Sequence, residues 1–575
     1  MIQIVLTLLI FFVLVIPMGR YLYNIADNQK TFADPFFNRL DNAIYYICGI
    51  DQKDMKWKQY AIALLLTNAI MVLVGYLILR VQSMPIFNPN AIGNMEATLS
   101  FNTIVSFMTN TNLQHYAGES GVSYFSQMMV IILMMFTSAA TGYAACMAFA
   151  RGISGKKSMG NFYVDLTRVT TRVLIPLSIL VALLLVWQGA PQNFSKNITL
   201  QTIEGKNQDI AMGPIASLVS IKHLGTNGGG FLGANSSTPL ENPTIIANII
   251  ELISMMILPG ACVIAFGLMF FYKKREDEER SDSMEKKYVF FGDEGRTIFM
   301  AMAILFMIGL GVCFFAESQG NPVLAGIGLN QSMGSMEGKE VRFGIAQSAL
   351  FTTVTTSFTT GTVNNMHDTL TPIGGMIPLL HMMMNMIFGG VGVGFMNMVM
   401  YALLSVFLCG LMVGRTPEYL GKKIESKEMK LTVLCLIVHP LLILGFSALA
   451  VATKPGLEGI TNPGFHGLSQ VLYEFSSSAA NNGSGFEGLA DNTYFWNMTA
   501  GLAMFFGRYV SIIIQLAIAG SLMTKMDVNE SIGTLKTNNI TFAVTLAVVC
   551  YIFAALTFFP VLSLGPIAEH LSIWR

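Results

Sequence analysis

The sequence predicts an all-α membrane protein with about ten transmembrane helices, and three observations carry that prediction. Apolar residues make up 53% of the 575 residues and charged residues only 12%, whereas a soluble domain usually has about 25% charged residues. Ten segments are long and apolar enough to cross a bilayer, which takes about 20 residues. Four clusters rich in Asn, Thr, Ser and Gly recur along the chain.

The predicted spanning segments follow from the apolar runs. The first has no basic flank before it and no small-residue cleavage site after it, so we interpret it as a retained helix and not as a signal peptide. The ten segments lie near residues 3–23, 60–80, 124–149, 173–188, 245–272, 297–316, 377–413, 431–452, 495–523 and 539–562.

Lysine and arginine are distributed unequally between the two sets of connections. One set holds 24 of the 34 Lys and Arg residues and the other holds eight. The positive-inside rule places the richer set in the cytoplasm and both termini outside. The richer connections are 24–59, 150–172, 273–296, 414–430 and 524–538. Since the formal net charge is zero, nothing indicates nucleic acid as a partner.

Each polar cluster lies in a predicted outer connection, behind a short apolar stretch that is too short to span. The clusters are residues 109–114, 225–230, 359–364 and 480–485. Aligned on Thr111, Gly228, Gly361 and Gly483, they are spaced by 117, 133 and 122 residues. This spacing indicates one unit, used four times, of helix, short pore helix, filter loop and helix.

The predicted organisation is therefore four pseudo-symmetric repeats with one extra helix at each end. The extra N-terminal helix and its loop take 1–59, and the extra C-terminal helix takes 539–575. The pore repeats take 60–172, 173–296, 297–430 and 431–538.

The residue types in the clusters suit a filter for a monovalent cation. Carbonyl oxygens from four loops around one axis can replace the water shell of a dehydrated ion. Glycine permits the backbone angles that this needs, and Asn and Thr tolerate them or supply side-chain oxygens. Carboxylates, which would favour divalent ions, are absent from all four clusters. The predicted filter residues are Asn110, Thr111, Asn112, Thr226, Asn227, Gly228, Thr359, Thr360, Gly361, Asn481, Asn482 and Gly483.

Further candidate pore or gating residues lie beside or below this filter. The long seventh segment is interrupted by the glycine-rich run 389–394, which includes Gly390 and Gly392. Because a glycine costs about 1 kcal/mol relative to alanine inside a helix, we interpret this run as an intramembrane loop; close packing through small residues is the alternative. Arg508 lies within the ninth segment, where a charge usually faces a cavity or a partner. Gln114 ends the first cluster.

The histidines and cysteines do not predict a metal site. His115, His223 and His367 lie close to the clusters without metal-ligand spacing, and we expect them to form hydrogen bonds that stabilise the loops. The seven cysteines include no CxxC pair and are interpreted as buried thiols.

Long stretches of the chain resemble the potassium-translocating A subunit family of the bacterial Kdp potassium-pumping ATPases. They include GNFYVDLTR (160–168), GPIASLVSIKHLGTNGGG (213–230), RFGIAQSALFTTVTTSFTTGT (342–362), GRTPEYLGKKI (414–424), VLYEFSSSAANNGSGFEG (471–488) and LAIAGSL (516–522). The resemblance covers essentially the whole length. Leu113, Thr359-Thr360, Gly233 and Asn385 depart from the residues common in that family, which have Trp, Ser-Cys, Asn and Glu there.

The resemblance implies a function and partners. It implies that K⁺ is the transported ion, that a P-type ATPase catalytic subunit and small accessory membrane subunits are partners, and that the chain lies in the bacterial inner membrane. It also implies that the glycine-rich loop below the filter helps to block straight-through conduction.

An energy source within the chain is not indicated. No GxxxxGK[ST] motif occurs, and the predicted cytoplasmic connections leave no room for a nucleotide domain. We therefore expect ATP hydrolysis in a partner and no enzymatic activity of the chain alone. The alternatives are a stand-alone potassium channel or ion-coupled transporter, and a scaffold that transports nothing, which four filter loops disfavour.

Overall fold

The computed structural model describes residues 2–278, 289–414, 416–528 and 535–574. Ten helices in this described part are long and apolar enough to cross a membrane, as the sequence predicts. They are Ile2–Ala26, Trp57–Arg80, Tyr124–Ile153, Phe162–Gln188, Ile245–Arg275, Asp293–Gly326, Gly390–Met412, Ser426–Ala452, Tyr494–Met523 and Ile540–Ile573. We number them as spanning helices 1 to 10.

Four shorter helices precede the four polar clusters, and we name them pore helices 1 to 4. They are Ala97–Met108, Ile215–Leu224, Gly344–Ser357 and Phe465–Ala480. The first begins where a Glu96 carboxylate oxygen accepts the backbone N–H groups of Thr98 and Leu99, at 2.6 and 2.9 Å, which satisfies two donors that a helix start leaves free. The order helix, pore helix, loop, helix occurs four times, so the predicted fold class is confirmed.

In three of the four units burial divides the two spanning helices into an outer and an inner one, whereas spanning helices 6 and 7 of the third unit are buried almost equally. Spanning helices 3 and 5 have 72% and 78% of their most apolar window buried, whereas helices 2 and 8 have 28%. Both the inner and the outer helices pack against the pore helices. The outer helices leave an apolar face exposed, which is suited to lipid.

The seventh predicted segment is two helices. Pro372–Met384 ends at Asn385, whose φ of 48° is left-handed, and a second helix runs Val393–Val413. Between them Gly390–Gly392 forms a 3-10 turn in which Val391 has φ 49°. The predicted loop at the glycine-rich run is confirmed, because left-handed residues stop a helix on both sides of it.

Spanning helix 4 begins earlier than predicted, so the loop assigned to 150–172 is shorter. The Asn161 side chain caps it by accepting the backbone N–H groups of Tyr163 and Val164. Its first turns carry Asp165, Arg168 and Arg172, which lower the hydropathy of the window and hide the helix start. Arg172 pairs with Asp34 and Asp41 of the helix Asp34–Ile47.

The remaining elements were not predicted. Ile198–Gln201 and Asn207–Ile210 form an antiparallel hairpin in which Ile198 pairs with Ile210, and Glu418–Tyr419 pairs with Lys422–Lys423. Short helical turns occupy Gly118–Gly121, Asn235–Ser237, Pro322–Gly326, His367–Thr369 and Lys454–Leu457. Five of the seven cysteines are buried, as interpreted; Cys48 is exposed and Cys409 lies between.

Candidate ion-binding site

The four pore helices end in the same hydrogen-bonded turn. In each, a backbone N–H donates to the carbonyl five residues earlier, inside the helix, at 2.8 to 2.9 Å. The pairs are Thr111 to Ser106, Asn227 to Lys222, Thr360 to Thr355 and Asn482 to Ser477. This turn reverses the chain and starts the four filter loops, which we number 1 to 4.

Left-handed residues flank this donor in every loop. The residue before it has φ between 47° and 62°: Asn110, Thr226, Thr359 and Asn481. The residue after it has φ between 59° and 103°: Asn112, Gly228, Gly361 and Gly483. Asn112, and not Thr111, therefore corresponds to the three glycines, so our alignment of loop 1 was wrong by one residue. Loop 1 has no glycine to mark the position, and asparagine tolerates the left-handed conformation.

The glycines allow neighbouring loops to touch. A Cβ on Gly228 would overlap the carbonyl oxygen of Thr360, and one on Gly361 would overlap that of Asn482. A Cβ on Gly483 would overlap the carbonyl oxygen of Thr111. Loops 2, 3, 4 and 1 thus contact one another in sequence.

Loops 1 and 2 close the ring through side chains. Asn110 Nδ2 donates to the carbonyls of Gly225 and Thr226 at 3.1 and 2.9 Å, and Asn227 Nδ2 donates to Asn110 Oδ1 at 2.7 Å. Gln114 both accepts from the Gly230 N–H at 2.8 Å and donates to the Gly230 carbonyl at 3.1 Å. Gln114 therefore fastens loop 1 to loop 2.

Side-chain hydrogen bonds also join the other neighbours. Asn482 Nδ2 donates to the Thr355 carbonyl of pore helix 3 at 2.9 Å. Asn481 Nδ2 donates to Thr111 Oγ1 at 2.9 Å. Between loops 2 and 3, Thr362 Oγ1 donates to Asn235 Oδ1 at 2.7 Å. The structure thus brings all twelve residues that the sequence proposes for the filter into one closed ring, in which Gly483 is partly exposed and the other eleven residues are buried.

The ring can offer oxygen dipoles but no formal negative charge. Its loops contribute backbone carbonyls and Thr and Asn side chains, which suit a dehydrated monovalent cation that must also leave. Both Asn112 side-chain polar atoms and Thr360 Oγ1 are buried without a hydrogen-bond partner in the described chain.

The glycine-rich turn lies against loops 2 and 3. A Cβ on Gly390 would come within 2.5 Å of Thr226 Oγ1 and 2.7 Å of the Thr359 carbonyl oxygen. A Cβ on Gly392 would meet Cys146 Sγ at 2.5 Å. The turn therefore sits at the start of the filter loops, where the pore helices end.

Arg508 lies beside the same turn. A Cβ on Gly142 would meet Arg508 Nη2 at 2.7 Å and would overlap Val391 of the turn. Arg508 is buried, and Nη2 has no hydrogen-bond partner in the described part of the chain. Its charge thus lies next to the glycine-rich turn, without a described carboxylate to neutralise it.

A histidine next to loop 1 forms the bond to a neighbouring repeat that we expected. His115 Nδ1 and Asn497 Oδ1 are 2.8 Å apart, and Nε2 lies 3.2 Å from Glu474 of pore helix 4. Burial would lower the pKa of His115, but the charges of Asp491 and Glu474 and these hydrogen bonds raise that pKa to about 9.

In the described part of the chain, one group of side chains has the spacing that could hold a metal ion. His115, Glu474 and Asp491 offer ligand atoms within 4.8 Å of one another. Because the imidazole already bonds Glu474 and Asn497, we interpret the cluster as an ion pair that joins loop 1 to repeat 4. Sequence spacing alone gave no sign of it, since His115 lies more than 350 positions from the other two residues.

The sequence analysis missed the residues that support loop 2 from behind. Asn235 Nδ2 donates to the Gly228 carbonyl at 2.7 Å, and Lys222 and Glu241 form a buried ion pair next to it. The sequence contained one signal of this support, because a lysine within the membrane, such as Lys222 in pore helix 2, usually has a polar or charged partner.

Comparison with known proteins gives consistent matches. The family model described as "Potassium-transporting ATPase A subunit" matches residues 5–571. A potassium-transporting ATPase potassium-binding subunit of Clostridium acetobutylicum is 57% identical over 572 residues, covering 99% of both chains. Proteins of the same name from Geobacillus kaustophilus and Caldanaerobacter subterraneus subsp. tengcongensis are 53% and 50% identical, covering at least 96% of each chain.

A solved structure shares the fold. The crystal structure of the potassium transporter TrkH from Vibrio parahaemolyticus matches with a TM-score of 0.50 at 14% sequence identity. The match covers 78% of this chain and 83% of that one. This likeness concerns the arrangement of helices alone.

Proposed function

The chain belongs to the potassium-transporting ATPase A subunit family, and from that membership we propose that it is the potassium-binding and potassium-translocating subunit of an ATP-driven potassium uptake pump. The observation that carries the proposal is the closed ring of four contacting loops, whose clusters contain neutral oxygens and no carboxylate. Such a ring selects a monovalent ion by replacing its hydration shell.

In this proposal K⁺ enters the ring from outside the cell. The carbonyls of the twelve filter residues take the place of water. The negative ends of the four pore helix dipoles, which lie at the loops, favour a cation there. The neighbouring loops hold one another by the hydrogen bonds described above, so the oxygens are already in position before the ion arrives.

Below the ring, the turn at Gly390 and Gly392 and the charge of Arg508 oppose free passage. A positive charge about 4 Å from K⁺ at an effective dielectric constant near 20 costs on the order of 4 kcal/mol. The ion is therefore held from leaking straight through and passes to a separate P-type ATPase catalytic subunit, which supplies the energy. Small accessory membrane subunits complete the complex.

The charge distribution supports the proposed location. With 24 Lys and Arg residues on one side and eight on the other, both termini face outward and the chain crosses the bacterial inner membrane ten times. The loops of the ring then open to the exterior.

Reconstitution in liposomes tests this function. We expect ATP-dependent uphill K⁺ uptake when the purified chain is combined with its ATPase and accessory subunits, and none with the chain alone. Uphill uptake by the chain alone, driven by an imposed proton or sodium gradient, would instead establish the ion-coupled transporter. Passive, saturating K⁺ flux through the isolated chain would indicate a channel.

A further inference from the structure

A fully buried ion pair stands behind filter loop 2. Lys222 of pore helix 2 pairs with Glu241, and both side chains have no exposed surface. Lys222 Nζ also donates to Asn235 Oδ1 at 2.6 Å and to Ser236 Oγ at 3.0 Å. Glu241 accepts the backbone N–H of Leu232 at 2.8 Å. The pair therefore ties pore helix 2 to the turn Asn235–Ser237.

These contacts fix which way the Asn235 amide points. Its Oδ1 accepts from Lys222 Nζ and from Thr362 Oγ1 of loop 3, at 2.6 and 2.7 Å, and from the backbone N–H of Ser236 at 2.9 Å. An ammonium group and this hydroxyl both donate, so the amide oxygen must face them. The Nδ2 group is then directed to the carbonyl oxygen of Gly228, 2.7 Å away.

The backbone conformation of Asn235 also indicates that this residue is held tightly by its neighbours. Its φ of 55° is left-handed, and a Cβ on Gly230 would come within 3.0 Å of its Cα. An asparagine in this conformation costs free energy, which its surrounding bonds offset.

The hydrogen bond to Gly228 makes loop 2 different from the other three. In the described chain, the corresponding carbonyls of Asn112, Gly361 and Gly483 accept no hydrogen bond. Of these four carbonyls, the one of Gly228 alone is restrained by a hydrogen bond, which comes from the neutral Asn235 amide that Lys222 helps to orient.

We propose that Asn235, oriented by Lys222 and Thr362, is a positioning residue that sets potassium affinity and selectivity by holding the Gly228 carbonyl. The proposal rests on the proposed function of the ring. Lys222 does not touch the ion; its charge acts through the amide. Ion discrimination depends on how far the ring oxygens can move, and the amide limits that movement in loop 2.

Asn235→Asp is the direct test, because it keeps the shape and the acceptors for Lys222 and Thr362 but replaces the donor with a carboxylate oxygen, which repels the Gly228 carbonyl oxygen. The readout is potassium-stimulated ATPase activity of the assembled complex across a K⁺ titration, repeated with Rb⁺ and Na⁺. We expect the half-saturating K⁺ concentration to rise about 3- to 10-fold, the size of one lost hydrogen bond. The preference for K⁺ over Rb⁺ and Na⁺ should fall, with a smaller change in maximal rate.

Two further variants keep the proposal testable if Asn235→Asp does not assemble. Thr362→Val removes one of the three donors to Asn235 Oδ1 at nearly constant volume, and should shift affinity in the same direction by about 2- to 3-fold. Lys222→Met with Glu241→Gln removes a second donor without leaving a buried unpaired charge, and should act likewise.

Ser237→Ala is the matched control, since its hydroxyl bonds the Ala234 carbonyl within the same turn and does not reach the filter. The inference would be overturned if the unmutated complex responds to K⁺ and all assembled Asn235, Thr362 and Lys222 variants keep its affinity and ion preference. That result would leave the proposed function standing. A wild-type complex that does not respond to K⁺ would overturn both.

Discussion

Thr226 and Thr359 hold backbone angles that threonine seldom adopts, with φ of 47° and 49°. A β-branched residue in the left-handed region is strained by roughly 1–3 kcal/mol. The i to i−5 hydrogen bond on the next residue and the contacts between loops must offset that strain. Strain held in this way at four corresponding positions is typical of a functional site.

Gly228→Ala and Gly483→Ala test the ring at the residue scale. Each glycine has a positive φ, and its Cβ would overlap a carbonyl of the next loop. The carbonyl must move, and a cost of about 1–3 kcal/mol corresponds to roughly 10- to 100-fold weaker apparent K⁺ affinity. Discrimination against Rb⁺ and Na⁺ should weaken with it. The measurement is potassium-stimulated ATPase activity of the assembled complex.

Gly485→Ala is the control in the same loop, because a Cβ there meets nothing within 4 Å. It should keep wild-type affinity. Gly233 is a poorer control, since its Cβ would come within 2.9 Å of the Ala117 Cβ. Wild-type affinity and selectivity in assembled Gly228→Ala and Gly483→Ala would contradict the filter assignment.

Arg508→Gln tests the barrier below the ring. Losing the unneutralised charge removes a repulsion on the order of 4 kcal/mol, so passive K⁺ leak through the complex should rise and transported ions per ATP should fall. Leak is measured as K⁺ flux from loaded liposomes without ATP. Lys454→Gln, an exposed lysine in an outer connection, serves as control and should not change leak. Unchanged leak and coupling in Arg508→Gln would rule out the placement of the charge on the ion path.

The sequence predicted most of the site at this scale, but not its register. Asn, Thr and Gly clusters identified all four loops because few other residues tolerate left-handed angles. The equivalence of Asn112 with Gly228 could not be recognised from the sequence, because different residue types, asparagine and glycine, adopt the same left-handed conformation there. The contribution of Asn235 was hidden as well, since a hydrogen bond from behind a loop leaves no periodic pattern.

At the scale of elements, the loops are joined to helices of other repeats by buried polar side chains. His115 joins loop 1 to pore helix 4 through Glu474. His367 Nδ1 lies 2.7 Å from the Tyr473 hydroxyl, which in turn lies 2.9 Å from Ser484 Oγ. These bonds connect repeats that are distant in sequence, so they contribute to stability only when the whole ring has formed.

The His115 bond predicts how stability depends on pH. The imidazole has a pKa near 6.5 when unfolded and about 9 when folded. Its stabilising contribution is complete below pH 6.5 and is lost as pH rises through 9. The pKa of Asp491, raised by burial to about 6, lies below this window. The pKa of His466, which burial lowers but Asp368 and Glu569 raise to about 9, lies within it, so His115 accounts for one part of the slope. The thermal unfolding temperature in detergent should therefore fall between pH 6.5 and 9.

His115→Gln should abolish that part of the pH dependence, because an amide does not titrate. The exposed Lys454→Gln protein again serves as a control and should keep the wild-type slope. Parallel pH profiles of His115→Gln and the wild type would show that another group is responsible.

Helix boundaries were less predictable than helix number. Spanning helix 4 begins inside a charged segment because Arg168, Arg172 and Asp165 reduce hydropathy while buried ion pairs and the Asn161 cap still support a helix. By contrast, the glycine-rich break was visible in sequence, since a run of such residues opposes a helix whatever its surroundings.

At the scale of the molecule, four similar units surround one ring and two extra helices flank them. Sequence hydropathy reports length and apolar character, so it located ten spanning helices correctly. It does not report neighbours, so it did not distinguish the buried inner helices 3 and 5 from the exposed outer helices 2 and 8. That distinction appears only when the pore helices pack into the centre.

Because a single polypeptide supplies all four loops, every quarter of the ring is encoded separately. A ring built from four identical chains repeats each substitution four times, so even a mild change there is multiplied. Here a mutation is introduced once, in one quarter of the ring, so its effect is graded. Loop 1 can carry asparagine where the others carry glycine, and loop 2 alone can have a charged support. The gene can therefore adjust ion preference in small steps, one quadrant at a time.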